Sequence, residues 1–191
     1  MKVIAVMPAY REESRIVAAI LGIQSLVDQV VVVDDGSGDG TVEAAKTTDA
    51  VVLTHSLNRG QGAALKTGTL AALKLGADII VHVDADGQHD PNSIPVLLEP
   101  IQQGKADVVF GSRFLGVPSE GMPMLRRILL QGGRVFSQLV LGIPRHMTDP
   151  QSGLRAMTAQ AARQIDFHQD RMAHCSEILR LVTRSDLRWV E

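Results

Sequence analysis

Short runs of apolar, mostly β-branched residues alternate with longer amphipathic segments along the first 110 residues of this chain. The clearest run is Val30-Val31-Val32-Val33, which has no polar residue to turn toward water on either face. Such runs are typical of parallel strands that are buried on both faces. Parallel neighbours need a crossover connection, usually a helix, so the alternation predicts an α/β fold. We expect a mainly parallel central sheet with helices on both faces.

The pattern also places the individual elements. Strands are predicted at residues 3–7, 30–33, 50–53, 79–83 and 108–110, and helices at residues 14–26, 62–75 and 91–103. Asp90-Pro91 fits an N-cap followed by the first helical residue, and Thr41 fits the capped start of another helix. After Pro123 the predicted helices are 124–142, 159–165 and 175–184, around a loop at 144–153. We interpret the chain as one domain, with a first half at 1–120 and a second half at 121–191.

Composition excludes several classes of function. The 191 residues are 45% hydrophobic and 21% charged, which is close to the globular average. A net charge of −2 gives no basic field that would hold nucleic acid. The single Cys175 cannot form an internal disulfide and receives no role, and the sequence shows neither a signal-peptide pattern nor an apolar run of about 20 residues. We therefore expect a cytoplasmic protein that lies, at most, against the cytoplasmic face of a membrane.

Two carboxylates follow the fourth predicted strand, in Val83-Asp84-Ala85-Asp86-Gly87-Gln88-His89. On an extended backbone, Asp84 and Asp86 point to the same face and repel one another unless a cation lies between them. A hard divalent cation accepts oxygen ligands from both and leaves positions open for phosphates. An acidic turn that caps the next helix is the alternative, and His89 fits a metal ligand or a helix-entry residue equally well. The position at a strand end favours a nucleotide-phosphate metal site.

The loops after Met7, Val33 and Phe110 are predicted to share one cleft with this pair, because the carboxyl ends of parallel strands meet at one edge of a sheet. Asp34-Asp35 closes the second strand. Two consecutive carboxylates at this position can be explained by hydrogen bonds to a base or ribose, or by the ordinary preference of Asp for turns. Pro8-Ala9-Tyr10-Arg11-Glu12-Glu13 follows the first strand, and Asn58-Arg59-Gly60-Gln61-Gly62 opens a helix. The last loop lacks the P-loop and dinucleotide-binding patterns, so neither site is predicted.

Together these four loops resemble the family 2 glycosyltransferases, whose fold is the GT-A nucleotide-sugar-binding α/β sheet. Members of that family carry P-x-Y-N-E, D-D-G-S-x-D-G-T, N-x-G-x-G and a central D-x-D in this order, and here Arg11 replaces the Asn. The strings D-x-D-x-Q-H-x-P at 84–91, Gly111-Ser112-Arg113-Phe114 and D-x-x-S-G-x-R-A at 149–156 resemble one branch of the family. That branch contains the polyprenyl-phosphate (dolichyl-phosphate) mannose or glucose synthases, and the resemblance spans residues 3–156.

The resemblance implies a metal-dependent, inverting glycosyltransferase. It would move mannose or glucose from a GDP- or UDP-linked sugar to a polyprenyl phosphate. The residues implied to face the nucleotide sugar are Pro8, Tyr10, Glu12, Asp34, Asp35 and Asp84. Those implied to hold Mg²⁺ or Mn²⁺ are Asp84, Asp86 and Gln88.

Catalytic roles are implied for Asp86, Arg113, Arg126 and Arg127. Asp86 would act with the bound metal, and the guanidinium groups suit an acceptor phosphate, although Arg126 and Arg127 fit an exposed surface equally well. Because a polyprenyl monophosphate is already ionised, no strong general base is required.

Three other functions fit parts of the pattern. A glycosyltransferase with a hydroxyl or different lipid acceptor would need a base, for which Asp149 is the candidate. A nucleotidyltransferase would carry a basic, Gly-rich loop after the first strand, where this chain is acidic. A non-catalytic nucleotide-sugar-binding protein would keep the fold and the donor site without turnover.

Two expectations concern the second half. Apolar residues recur at helical spacing in 124–142 beside Arg126, Arg127 and Arg134, which fits an interfacial membrane helix or an ordinary core-facing one. In the polyprenyl-phosphate branch, the sequence continues into an F-x-x-R-x-x-G-x-S-K segment whose cations contribute to the phosphate site. We find no match to it here and expect donor and metal binding with slow transfer or none. The alternatives are that Arg113, Arg126, Arg127 and Arg155 suffice or that a partner chain supplies the other cations.

Overall fold

The computed structural model of the protein describes residues 1–85, 90–112 and 147–191. Its strands are β1 (Val3–Ala9), β2 (Gln29–Asp34), β3 (Val51–Thr54), β4 (Ile79–His82), β5 (Val108–Phe110), β6 (Arg155–Thr158) and β7 (Trp189–Val190). Its helices are α1 (Ile16–Ile23), α2 (Thr41–Ala45), α3 (Gln61–Lys74), α4 (Ser93–Gln102), α5 (Ala159–Gln164) and α6 (His174–Thr183). The alternation of strands and helices predicted for residues 3–110 is confirmed.

All seven strands join one mixed sheet in the order β3-β2-β1-β4-β6-β5-β7. β1 pairs in parallel with β2 on one side and with β4 on the other, and β3 extends this parallel part. β6 runs antiparallel to both β4 and β5, and β7 pairs in parallel with β5. The mainly parallel sheet is therefore confirmed, but β6 is a strand that the sequence did not predict. Its Arg-Ala-Met-Thr sequence has no apolar run, because a buried arginine occupies its first position.

Side chains of β1 alternate between two apolar layers, one on each face of the sheet. Ala5 and Met7 pack in the layer that contains α1 and α4, whereas Ile4 and Val6 pack in the layer that contains α3 and α6. Every residue of β1 is buried, as a strand covered on both faces requires. The predicted helices on both faces are confirmed by these two layers.

One glycine lets α3 approach the sheet closely. A Cβ on Gly68 would collide with Cγ1 of Val6 and lie 3.1 Å from Cγ2 of Val33. A larger residue would push the helix away from β1 and β2. The close packing places the first residues of α3 beside the carboxyl edge of the sheet.

The predicted helix start at Thr41 is confirmed, whereas the predicted N-cap at Asp90 is wrong. α2 has Gly40 at its N-cap, and the carboxylate of Asp39 accepts hydrogen bonds from the N–H and the hydroxyl of Thr41 at 3.1 and 2.6 Å. α4 begins at Ser93. The Asp90 carboxylate accepts a hydrogen bond from the N–H of Asn92 at 3.0 Å, so it closes a local turn before the helix. In both places an Asp side chain closes a turn just before the helix.

Residues 86–89 and 113–146 lie outside the described residues, and with them the predicted helix at 124–142. None of the helices in the described ranges is long and apolar enough to cross a membrane.

His82, the last residue of β4, is a fully buried titratable group. Its Nε2 lies 2.9 Å from Oγ1 of Thr69, and its Nδ1 has no hydrogen-bond partner in the described part of the chain. Burial lowers the pKa of His82 well below its ordinary value, and the nearby Arg155 and His174 add to this. The folded protein therefore holds this imidazole neutral.

This predicts a loss of stability in mild acid. Below the ordinary histidine pKa near 6.5, His82 is protonated in the unfolded chain but stays neutral in the folded protein. The free energy of unfolding therefore falls as pH falls. The full effect of one such group is about 1.4 kcal/mol per pH unit. Urea unfolding of the wild type between pH 7.5 and 5 should show this slope, and His82→Leu should reduce it. An equal slope in His82→Leu contradicts the prediction.

Candidate functional site

A cleft of about 440 Å³ opens at the carboxyl ends of β1, β2 and β4. The chain leaves β1 toward β2 on one side, while β4 lies on the other, and such a change of direction is where open α/β sheets bind ligands. The described residues that line the cleft are Pro8, Ala9, Tyr10, Glu12, Asp35, Asn58, Gly60, Gln61, Asp84, Ala85 and Met172. Loops after three adjacent parallel strands therefore contribute to one site, as the sequence predicted.

Asp84 lies two residues beyond the end of β4 and is held from two sides. Nε2 of Gln61, the first residue of α3, donates a hydrogen bond to its Oδ1 at 2.7 Å. On the other side, a Cβ on Gly153 would collide with the carboxylate and lie 2.8 Å from its Cγ. The pairing of His82 with Arg155 brings Gly153 there, because β4 and β6 are antiparallel. Gly153 thus leaves the space that the Asp84 carboxylate fills.

Arg155 anchors the segment that carries Gly153. Its side chain is fully buried, its Nε donates to the carbonyl oxygen of Gly153 at 3.3 Å, and its Nη2 lies 3.4 Å from Sγ of Cys175. Burying a guanidinium without partners would cost folding free energy, so the local backbone stays where its carbonyl oxygen can accept the hydrogen bond from Arg155. The sequence had counted Arg155 among the cations available to an acceptor phosphate, but this interior position gives it a structural role.

His174 lies beside this arginine at the first position of α6. Its Nδ1–H donates to the carbonyl oxygen of Arg171 at 2.8 Å, and its Nε2 lies 3.4 Å from Sγ of Cys175. Burial lowers the pKa of His174, and the positive charge of Arg155 lowers it further. A neutral imidazole therefore packs under the cleft at neutral pH, with Cys175 buried next to it.

Asp35 joins the loop after β2 to the start of α3. Its carboxylate accepts the N–H of Arg59 at 3.0 and 3.1 Å and the N–H of Gly60 at 2.6 Å. Nδ1–H of His55 donates to the same carboxylate at 2.7 Å, while Nε2 of His55 lies 2.9 Å from the Thr67 hydroxyl. Asp35 is 2% exposed, so a carboxylate at the wall of the cleft is fixed by three donors of the protein itself.

Asp34 has a more local role than its neighbour. Its carboxylate accepts the Ser37 N–H at 3.1 Å and also the Ser37 hydroxyl, and its side chain is buried. It is not among the described residues that line the cleft. Asp34 therefore shapes the turn after β2, and its predicted contact with a nucleotide stays a prediction.

The loop after β1 is tied to the loop after β2 through backbone donors. The N–H of Arg11 donates to the Ser37 hydroxyl at 2.8 Å, and the N–H of Glu12 donates to the Thr41 hydroxyl at 2.9 Å. The Glu12 carboxylate forms an ion pair with Nε of Arg15 at 2.9 Å. Tyr10, at 42% exposure, presents an aromatic surface at the cleft.

A further carboxylate, that of Glu191, organises the loop before β6. It accepts the N–H of Thr148 at 2.7 Å, the N–H of Asp149 at 2.7 Å and the hydroxyl of Thr148 at 2.8 Å. Asp149, the candidate base of the hydroxyl-acceptor hypothesis, is 3% exposed. The sequence assigned Glu191 no role in the site, because no local pattern links it to residues more than 40 positions earlier.

Five predicted site residues therefore meet at the cleft: Pro8, Tyr10, Glu12, Asp35 and Asp84. Asp34 is described but does not line the cleft, and the other five predicted residues lie outside the described ranges: Asp86, Gln88, Arg113, Arg126 and Arg127. Within the described ranges, no group of three or more His, Cys, Asp or Glu residues could hold a metal ion. The contributions of Gln61 and Gly153 were not assigned, although both belong to motifs noted in the sequence, and Met172 belongs to none.

The packing of Gly153 against Asp84 predicts that Gly153→Ala damages the site more than the fold. The added methyl must displace the Asp84 carboxylate or strain β6, at a cost of about 1–3 kcal/mol in the free energy of unfolding. We expect a measurable loss of nucleotide affinity in a calorimetric titration of the folded variant. Gly22→Ala in α1 is the matched control, because its Cβ would meet only Pro91 Cγ at 3.8 Å. Equal nucleotide affinity in Gly153→Ala and wild type would contradict the assigned contact.

Several known proteins are similar to this chain in sequence. Residues 4–163 match the family model described as glycosyl transferase family 2. The UDP-N-acetylglucosamine–dolichyl-phosphate N-acetylglucosaminyltransferase of Methanococcus voltae is 32% identical over 95% of this chain and 80% of its own length. The undecaprenyl-phosphate mannosyltransferase of Micrococcus luteus is 33% identical over 87% of this chain and 70% of its own.

A solved structure is similar in fold. Glucosyl-3-phosphoglycerate synthase from Mycobacterium tuberculosis, in complex with Mn²⁺, UDP-glucose and phosphoglyceric acid, superposes with a TM-score of 0.74 at 24% identity. The match covers 95% of this chain and 64% of that one, so the present sequence spans less than two thirds of the solved protein. With the family match over most of its length and this GT-A architecture, the chain belongs to glycosyl transferase family 2.

Proposed function

We propose that this protein is a metal-dependent, inverting glycosyltransferase that transfers a hexose from a GDP- or UDP-linked sugar to a polyprenyl phosphate. The observation that carries the proposal is the position of Asp84, which lies at the cleft where three adjacent parallel strands end and is held by Gln61 and Gly153. The acceptor is proposed from relatives named for dolichyl-phosphate and undecaprenyl-phosphate transfer.

The described lining of the cleft suits a divalent cation in its chemistry. It contains the carboxylates of Glu12, Asp35 and Asp84 and no lysine or arginine. A diphosphate would be repelled from such a surface unless a cation came with it. Asp84, with Asp86 and Gln88 from the neighbouring segment, would hold Mg²⁺ or Mn²⁺ through hard oxygen donors. The bound ion would neutralise charge that develops on the departing diphosphate.

The remaining lining residues would bind the nucleoside. Tyr10 offers a ring on which a base can stack, and Glu12 and Asp35 offer carboxylate oxygens to base or ribose donors. Asp35 is already fixed by Arg59, Gly60 and His55, so it would present its oxygens in one orientation. Such preorganisation lowers the entropy that binding costs.

The transfer itself would be an in-line displacement. An oxygen of the acceptor phosphate forms a bond to the anomeric carbon while the bond from that carbon to the diphosphate breaks, and the nucleoside diphosphate leaves with the electron pair. The acceptor is ionised at neutral pH, so it needs no base. Cationic groups are needed where the two anions meet, a role we propose for Arg113, Arg126 and Arg127.

The metal site predicts that Asp84→Asn binds nucleotide more weakly. The amide still accepts the Gln61 hydrogen bond but lacks the charge, so the Mn²⁺-dependent affinity for UDP or GDP should fall about tenfold or more. Titration calorimetry with and without Mn²⁺ measures this. Asp166→Asn removes an exposed carboxylate that pairs with Lys66 away from the cleft, and it should bind as wild type does. Unchanged Mn²⁺ dependence in Asp84→Asn would remove Asp84 from the metal site.

A donor and acceptor screen tests the whole proposal. GDP-mannose, UDP-glucose and UDP-N-acetylglucosamine are incubated with Mn²⁺, or with a chelator, and with a short polyprenyl phosphate, 3-phosphoglycerate or an alkyl alcohol. We expect a metal-dependent glycosyl polyprenyl phosphate, identified by mass spectrometry. Product from the alcohol alone would favour the hydroxyl-acceptor alternative, in which Asp149 is the base. Donor binding without hydrolysis or transfer to any acceptor would favour a non-catalytic binding protein.

A further inference from the structure

Arg11 has a backbone conformation that is unfavourable for its side chain. Its φ is +58°, and it is the one residue other than glycine with a positive φ in the described part of the chain. In the left-handed region the Cβ crowds the neighbouring carbonyl, and glycine and asparagine tolerate this best. Arginine here therefore keeps a strained backbone that asparagine or glycine would relieve.

The hydrogen bonds of the backbone do not require an arginine. The N–H of residue 11 donates to the Ser37 hydroxyl, and any residue except proline provides that donor. The side chain of Arg11 is exposed, and it forms no ion pair within the described residues. A hydrogen bond from the Thr41 hydroxyl lowers the pKa of Asp39, and the charge of Arg11 adds to that lowering. The feature that only the arginine side chain supplies at this position is the contact made by its guanidinium group.

The guanidinium of Arg11 lies over the ring of Tyr10, with its carbon 5.2 Å from the ring centroid. This is a cation–π arrangement, and a planar guanidinium also stacks on an aromatic face. Tyr10 lines the cleft and remains 42% exposed. One side of the ring is therefore covered by Arg11, while ring surface is still open toward the cleft.

We propose that Arg11 is a positioning residue for the donor nucleotide: it holds the Tyr10 ring in place so that the ring can stack on the nucleobase. A half-exposed tyrosine at the mouth of a cleft has several rotamers, and a base that binds it must fix one of them. The guanidinium fixes that rotamer in advance. This inference rests on the proposed function, because it takes the ligand of the cleft to be a nucleotide.

A double-mutant cycle distinguishes this role from a direct contact between Arg11 and the diphosphate. Affinities for UDP and GDP are measured with Mn²⁺ for wild type, Arg11→Asn, Tyr10→Ala and the double variant. Arg11→Asn should weaken binding of the nucleotide that wild type prefers by about two- to fivefold, the size of an exposed cation–π interaction. In the Tyr10→Ala background the same substitution should change the affinity by less than about 1.5-fold, because the ring is gone. Arg11→Lys, which keeps the charge but not the planar stacking group, should restore only part of the loss.

Stability gives the second measurement. In the Tyr10→Ala background the cation–π contact is already absent, so Arg11→Asn only relieves the left-handed strain there, and the folding equilibrium constant should rise by about two- to fivefold in urea unfolding. Arg184→Asn, which removes an equal charge from an exposed position after α6, controls for net charge in both experiments and should change neither.

Each outcome decides between the hypotheses. A full loss of affinity from Arg11→Asn in the Tyr10→Ala background overturns the positioning role and indicates a direct contact with the phosphates. Unchanged affinity in Arg11→Asn overturns the inference but leaves the proposed function intact, because wild type still binds. Absence of UDP and GDP binding to wild type overturns both.

Discussion

The pairing of β1 with β2 and β4 is the constraint on which the site depends. Because β1 is parallel to both neighbours, the loops that follow all three strands leave the sheet at one edge. The side chains of β1 are buried on both faces, so a shift in its register would disturb two apolar layers at once. The loops that carry the polar residues of the cleft are therefore anchored beside a strand whose register both apolar layers fix, which gives an exposed site a rigid base.

The antiparallel strand β6 completes the site from the second half of the chain. It inserts between β4 and β5 and brings Gly153 against Asp84. Buried Arg155 follows two residues later and holds the carbonyl oxygen of Gly153. A buried cation in mid-sheet lowers stability unless its partners are fixed, so its presence indicates a constraint beyond packing. That constraint is the shape of the backbone beside Asp84.

Sequence reasoning recovered what is local and missed what is long-range. Apolar runs and β-branched residues predicted the strands β1 to β5, and the ends of each strand lie within two residues of the predicted ends. β6 was missed because the burial of Arg155 depends on its pairing with β4 and on Cys175, which lies 20 residues further along the chain. The cleft was predicted from strand ends alone. The hydrogen bonds from Gln61 to Asp84 and from Arg59 to Asp35 were not, because they span more than 20 residues and no periodicity encodes them.

The adjacent residues Asp34 and Asp35 illustrate how far a motif can specify chemistry. Both are buried carboxylates at the end of β2, and sequence alone treats them as equivalent. The Asp34 carboxylate bonds to Ser37, three residues away, and so completes its own turn. The Asp35 carboxylate instead bonds to His55 and to the backbone of residues 59 and 60, and so ties two loops together at the wall of the cleft. A change at Asp34 would distort one turn, whereas a change at Asp35 would release the start of α3 and with it Gln61, the donor that holds Asp84. The carboxylate that lines the cleft is thus also the one that couples the loops, which makes the geometry of the cleft depend on Asp35 more than on its neighbour.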